Sequence, residues 1–154
     1  MRKKYKNYSG RNFNKRRTPD KISKAKRSSL MSRIRSKNTQ FEIKFISQIR
    51  RNIPDNFQKH VRSIKGNPDV VFCSAHLCVF LDSDFWHGWQ FPRWKHLLKN
   101  SFWRDKIYKN RKRDIYTSTT LKKQGWKVVR IWEHQIKANP KRQMDRISIA
   151  LKHK

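Results

Sequence analysis

The residues of this chain able to do chemistry are few and unusually placed. Ten Asp and Glu stand among forty Lys and Arg. Asp69 opens the apolar run Pro-Asp-Val-Val-Phe, and Asp82 closes the run Val-Phe-Leu-Asp. If both runs are strands of one hairpin, the start of the first lies beside the end of the second, and the two carboxylates can converge. Glu42 precedes Phe45, Ile46 and Ile49 by helical spacings, so it falls on the apolar stripe of its helix. Asp114 shares such a stripe with Trp103, Ile107 and Leu121. An inward carboxylate is costly unless it is paired, hydrogen-bonded or metal-bound. Pairing with Lys or Arg explains any one of these acids. Four of them on elements that can meet favour a metal. Hard oxygen ligands suit Mg2+, which takes one or two carboxylates and leaves its other positions to water and substrate phosphate. Such an ion offsets charge developing at phosphorus and activates water.

His87 stands five residues after Asp82 in the segment Asp-Ser-Asp-Phe-Trp-His-Gly-Trp. An isolated His is usually structural. Beside a hydrolytic metal it becomes a candidate general base. Phe85 and Trp86 read in two ways, as core residues at a strand exit or as wedges that enter between base pairs. The loop after them interleaves Trp89, Phe91 and Trp94 with Arg93, Lys95 and His96, a mixture suited to bases and phosphates.

These side chains need elements to hold them. Thr39 as N-cap and Glu42 at the capping-box position predict a helix to about Arg51, stopped by Pro54. A strand is expected over 57–64, then a turn at Lys65-Gly66-Asn67-Pro68. The runs 69–72 and 77–81 read as buried strands of a hairpin. A Trp-rich basic loop spans 88–100. A long helix covers Ser101 to Gln124 with Gly125 as its C-cap. A buried strand at 126–132 and a helix at 140–152 complete the chain. The order α-β-β-β-α-β-α predicts an α/β fold, a mixed central sheet with helices flanking it.

Composition bounds the partner. The chain has 154 residues, the size of one domain. Its net charge is +30 and its pI about 11.1. A compact domain so charged repels itself, and its natural partner is a polyanion. Residues 1–28 hold twelve Lys and Arg and one acid, with almost no aliphatics. They are expected to form a disordered basic arm preceding a domain at 29–154. No apolar stretch approaches the length of a membrane span, and no apolar core follows the basic N-terminus as in a secretory signal. Cys73 and Cys78 alone cannot build a disulfide framework or a zinc site. Composition thus reads as an intracellular, nucleic-acid-facing protein that binds no membrane.

Five ordered pieces carry a more specific signal. They are Met-Ser-Arg-Ile-Arg-Ser-Lys-Asn-Thr (31–39) with Glu42, Gly-Asn-Pro-Asp-Val-Val-Phe (66–72) and Val-Phe-Leu-Asp-Ser-Asp-Phe-Trp-His-Gly (79–88). Phe-Trp-Arg-Asp-Lys-Ile-Tyr-Lys-Asn-Arg-Lys-Arg-Asp (102–114) and Gly-Trp-Lys-Val-Val-Arg-Ile-Trp-Glu (125–133) follow. Together they resemble the very short patch repair (Vsr-type) mismatch endonucleases, a branch of the PD-(D/E)xK restriction-endonuclease-like fold. The resemblance implies a cytoplasmic, nucleoid-associated monomer that binds double-stranded DNA, with Mg2+-dependent hydrolysis of one strand 5′ of the thymine in a T·G mismatch. It also implies roles. Asp69 looks like the central metal-binding aspartate, with the Leu81 backbone carbonyl beside it. Glu42 looks like the helix carboxylate that holds water near the metal. His87 looks like the histidine that activates water, and Asp114 like its orienting carboxylate. Met31, Phe85 and Trp86 look like the residues that intercalate beside the mismatch, and Arg33 and Lys37 lie in the DNA-binding piece that contains Met31.

The departures from that pattern generate expectations of their own. Relatives have a histidine where this chain has Asp82 and a threonine at Leu81, so Asp82 is expected as a further metal ligand. The lysine of the wider signature is absent, and Asp84 stands in its place. The positions that hold a structural zinc in relatives carry Asp84, Trp89, Phe91 and His134. No structural zinc is expected, and an Asp84–His134 ion pair is the expected replacement for part of its bracing. Two other readings stay open. One is a site-specific nicking or homing-type nuclease of the same fold. The other is a basic nucleic-acid-binding protein without catalysis, whose acids are salt-bridged and indifferent to Mg2+.

Overall fold

The computed structural model describes residues 39–99 and 101–152, together with Ser23, Ala25, Lys26, Ser28 and Ser29. Most of the expected basic arm, and Met31, Arg33 and Lys37, lie outside the described residues.

Helix α1 runs Gln40–Asn52. Its start is secured where the sequence indicates it, since Glu42 Oε2 accepts the Thr39 backbone N–H at 3.2 Å. Phe45, Ile46 and Ile49 are buried along one stripe, and Glu42 shares their burial at 7% exposure. Strands β1 (Gln58–Lys59), β2 (Val70–Phe72) and β3 (Leu77–Asp82) follow. Helix α2 is a single turn, Phe91–Trp94, continued by a 3-10 turn at Lys95–Leu97. Helix α3 spans Ser101–Lys123 and strand β4 spans Lys127–Trp132. Helices α4 (Glu133–Ala138) and α5 (Pro140–Lys152) end the described chain.

The four strands lie in the order β1-β2-β3-β4. β1 and β2 pair antiparallel, as do β2 and β3, with Val70 opposite Val79. β4 runs parallel to β3, with Phe80 opposite Arg130 and Asp82 opposite Trp132. A parallel neighbour requires a crossover, and α3 supplies it. The expected mixed sheet with flanking helices is therefore present. Three details differ from the sequence reading. The strand expected over 57–64 shrinks to two exposed residues, because His60 adopts φ 51 and the chain turns through 61–67. The basic loop contains α2. Helix α4 follows β4 directly, where no helix was expected.

Strand alternation divides the interior into two layers. Leu77, Val79 and Leu81 face a core formed with Phe45, Ile49, Ile131, Ile136 and Ile147. Cys78 and Phe80 face the other way and pack with Leu121 of α3. Asp82 has the parity of Cys78 and Phe80, so the pleat aims it toward α3. Asp69 has the parity of Val71, whose partner is Cys78. The two aspartates are thus presented on one side of the sheet, beyond the last paired residues of β2.

Gly66 sets the entry to this region. Its φ is +85, and a Cβ there would stand 2.3 Å from Thr117 Cγ2 and 3.3 Å from Phe80 Cε1. Gly125, the C-terminal cap of α3, also has positive φ (+83), but a Cβ there meets nothing within 4 Å. Gly125→Ala should cost about 1 kcal/mol, the strain of a left-handed alanine alone. Gly66→Ala should cost about 2–4 kcal/mol, because overpacking is added to that strain. Chemical denaturation of the two variants checks this. Equal losses would mean that α3 does not press on the 66–69 turn.

Candidate active site

An open cleft of about 1780 Å³ lies where β2 starts and β3 ends, between α1 and α3. Glu42, Asp69, Asp82, His87, Asp114 and Arg130 all line it. The four carboxylates expected to meet do so, although they come from α1, the start of β2, the end of β3 and the middle of α3. Lys44, Arg62, Lys65, Lys106 and Arg113 stand around them on the same cleft. A phosphate backbone is therefore attracted to the walls while the floor is acidic.

Asp69 is held at both ends. Its backbone N–H donates to the Val79 carbonyl at 3.0 Å, and its side-chain Oδ2 accepts the Leu81 N–H at 2.7 Å. The Val79 carbonyl and the Leu81 N–H thus point to the same edge of β3. By strand alternation the Leu81 carbonyl points there too. Asp69 Oδ1 faces His60 Nδ1 at 3.9 Å. Burial drives the Asp69 carboxyl up to about 6, the Leu81 bond and His87 acting against it and the negative charges of Glu42 and Asp82 adding to it. Such a carboxylate is relieved by a cation.

The donor chemistry fits a hard divalent ion with few protein ligands. Asp69 and the Leu81 carbonyl are oxygens, and Glu42 lies close enough to raise Asp69. Among the described residues, no three His, Cys, Asp or Glu side chains form a ready-made metal cage. An ion held here would leave positions for water and phosphate.

The opposite wall is a compact polar network. His87 Nδ1 lies 2.8 Å from Asp114 Oδ2 and 3.3 Å from Asp82 Oδ1. A carboxylate at Nδ1 selects the tautomer with its proton there, which leaves the Nε2 lone pair free to accept one. Burial raises the Asp114 carboxyl, but the His87 hydrogen bond and the Arg130 charge outweigh it, and the net shift is downward. Asp82, expected as a metal ligand, has both oxygens engaged by Arg130. Nε donates to Oδ2 at 2.6 Å and Nη2 to Oδ1 at 2.5 Å.

Arg130 was not singled out from the sequence. Its signal was available, because it interrupts the apolar run Val-Val-Arg-Ile in a strand read as buried. His60 was missed as well, since its place beside Asp69 depends on the turn that shortens β1.

The segment after Asp82 forms an aromatic ledge. Phe85 packs edge-on to Trp86 at 5.0 Å and stacks on Trp94 at 5.9 Å, and Trp86 lies 5.5 Å from Trp103. Phe85 is 40% exposed, and Lys106 sits over Trp86 at 5.6 Å. The ledge is anchored from behind: Asn110 donates to the Trp86 carbonyl at 3.0 Å and Arg111 to the Gly88 carbonyl. Asp84, Trp89 and His134 also lie together. Asp84 Oδ1 pairs with His134 Nδ1 at 2.6 Å, and the His134 ring lies 4.6 Å from Trp89. Phe91 is buried and packs edge-on against Trp94 at 5.1 Å. Cys73 is exposed in the β2–β3 turn and Cys78 is buried in β3, so neither belongs to this group.

The elevated Asp69 has a testable consequence for stability. Its folded carboxyl titrates near 6 against 3.8 for an unperturbed group. A group raised in this way favours the fold while protonated, and that contribution is lost as pH rises through about 6. In chelator, Asp69→Asn should therefore be more stable than wild type at pH 8, by on the order of 2–3 kcal/mol. The difference should close toward pH 4. Thermal or urea unfolding across pH measures it. A variant no more stable than wild type at pH 8 would show that Asp69 is not strained by its surroundings.

Comparison with known proteins agrees with this geometry. The family described as DNA mismatch endonuclease Vsr matches residues 19–93. The type II nicking enzyme V.XorIIP of Xanthomonas oryzae pv. oryzae is 34% identical over 122 residues, covering 76% of this chain and 86% of that protein. The type II nicking enzyme V.NmeAIP of Neisseria meningitidis serogroup A is 33% identical over 120 residues, covering 77% and 84%. The DNA mismatch endonuclease Vsr of Escherichia coli is 29% identical over 119 residues, covering 77% and 76%. With its carboxylates, histidine and aromatic ledge gathered on one basic cleft, the chain belongs to the Vsr DNA mismatch endonuclease family and is a DNA endonuclease.

Proposed function

We propose that this endonuclease nicks one strand of duplex DNA at a T·G mismatch, with Mg2+ as its cofactor and one copy of the chain as the working unit. The observation that carries the reading is the His87–Asp114 hydrogen bond of 2.8 Å facing Asp69 across a single basic cleft. It pairs a base of defined tautomer with a carboxylate that calls for a cation.

Asp69 and the Leu81 carbonyl would hold the ion, and Glu42 would orient water beside it. When bound, Mg2+ supplies charge that offsets the negative charge developing at phosphorus. His87 Nε2 takes the proton of the attacking water, and Asp114 steadies the imidazolium that results. The water oxygen bonds to phosphorus, and the phosphorus–oxygen bond to the leaving nucleotide breaks. Asp114 stays ionised throughout, in keeping with its lowered carboxyl.

Phe85 and Trp86 enter the base stack. They follow β3 by only a few residues, so whatever they insert is fixed relative to Asp69. Unstacking a mispaired step costs less than unstacking a matched one. The ledge therefore turns weak pairing into preferential cleavage. Met31, Arg33 and Lys37 join this DNA contact on the strength of the resemblance alone.

A second reading, site-specific nicking of matched DNA, is favoured by the similarity to V.XorIIP and V.NmeAIP, which are named type II nicking enzymes. A nicking assay with Mg2+ separates the two. Duplexes carrying T·G or T·A in varied flanks are cut by wild type, Phe85→Ala and Trp86→Ala. The mismatch reading expects wild type to prefer T·G by about tenfold or more, and Trp86→Ala to lose most of that preference. Equal cutting of both duplexes by wild type would replace mismatch nicking with the site-specific reading.

A further inference from the structure

Asp82 and Asp69 are both carboxylates at the end of the hairpin, yet their surroundings differ. The Asp69 side chain is 19% exposed and the Asp82 side chain only 2%. Asp69 spends one oxygen on the Leu81 N–H. Asp82 gives both oxygens to the planar fork of Arg130, and Oδ1 also stands 3.3 Å from His87. Each Asp82 oxygen has one lone pair committed to the guanidinium, and an ion using the others would have to share the carboxylate with that cation. A dication would also have to approach the fixed positive charge of Arg130.

Arg130 is itself firmly placed. It lies on β4 opposite Phe80, and its guanidinium sits 4.8 Å over the Phe80 ring. The same Nη2 that binds Asp82 stands 3.4 Å from Asp114 Oδ1. Arg130 therefore draws the two carboxylates that contact His87 into one unit.

We propose that Arg130 is a positioning residue that withholds Asp82 from the metal and commits it, with Asp114, to the orientation of His87. The inference rests on the metal reading above and narrows it, because the ion is left to Asp69 and the Leu81 carbonyl. Arg130 thereby keeps metal binding weaker than two free carboxylates would make it, and keeps the base aligned.

The test is titration of the purified protein with Mn2+ alone, followed by the loss of the free-ion paramagnetic signal, alongside nicking at saturating DNA and Mg2+. Asp69→Asn should weaken Mn2+ binding by about tenfold or more, the effect of losing a charged ligand. Asp82→Asn should change it by less than about threefold, yet lower kcat by roughly tenfold or more through the loosened His87. Arg130→Met frees Asp82 and should tighten Mn2+ about tenfold while lowering kcat. The tightening should vanish in the Arg130→Met/Asp82→Asn double variant. Arg130→Lys retains the charge but not the fork, and should fall between wild type and Arg130→Met. If Arg130→Met does not fold, the isosteric Asp82→Asn decides alone. Loss of Mn2+ binding in Asp82→Asn as severe as in Asp69→Asn would make Asp82 a ligand and overturn the inference. A wild type that takes up no Mn2+ would instead remove the metal reading, and the role of Arg130 with it.

Discussion

The hydrogen bond from the Leu81 amide to Asp69 ties the start of β2 to the end of β3, and the site is arranged around it. A β-hairpin ordinarily pairs backbone with backbone. Here the ladder ends at Val70–Val79, and a carboxylate takes over the next amide of β3. This keeps Asp69 in a fixed position while burial and two neighbouring acids work against its charge. Stability and function oppose each other at this residue. The fold tolerates the conflict because both strands of the hairpin are buried throughout and, Asp82 apart, apolar.

The same tension is resolved differently a few ångströms away. Asp82 is the most deeply buried acid of the network, and Arg130 neutralises it with two charge-assisted bonds. Removing either member of such a pair leaves the other buried and uncompensated, which is far costlier than the pair's net contribution. Of the +30 carried by the chain, this one cation is therefore internal machinery. Lys44, Arg62, Lys65, Lys106 and Arg113 stand on the cleft where a phosphate backbone would run. Both groups draw on the same residue types, which is why charge counting alone could not separate them.

Local pattern revealed much of this arrangement. The apolar runs that begin at Asp69 and end at Asp82 dictated the hairpin, and the hairpin dictated the convergence of the two acids. Helical spacing put Glu42 and Asp114 on inward faces, where they are found. Long-range pairing was less legible. The partner of Asp82 depends on the parallel register of β3 with β4, forty-eight residues away in sequence, and no local rule contains that register. The end of β1 was lost for a related reason, since the left-handed turn at His60 is carried by a residue without a strong turn signature. The Asp84–His134 pair was foreseen only because the aligned zinc positions placed those two residues together, and the structure contains it at 2.6 Å.

Under the proposed function the hairpin end holds a divalent ion on Asp69 and the Leu81 carbonyl. Crystals of the wild-type protein with Mn2+ and a T·G duplex bearing an uncleavable phosphate test it directly through anomalous scattering. One peak is expected within bonding distance of Asp69 and the Leu81 carbonyl, with the Asp82–Arg130 fork intact. A peak coordinated by Asp82, or an ordered duplex in the cleft with no peak beside Asp69, would contradict it.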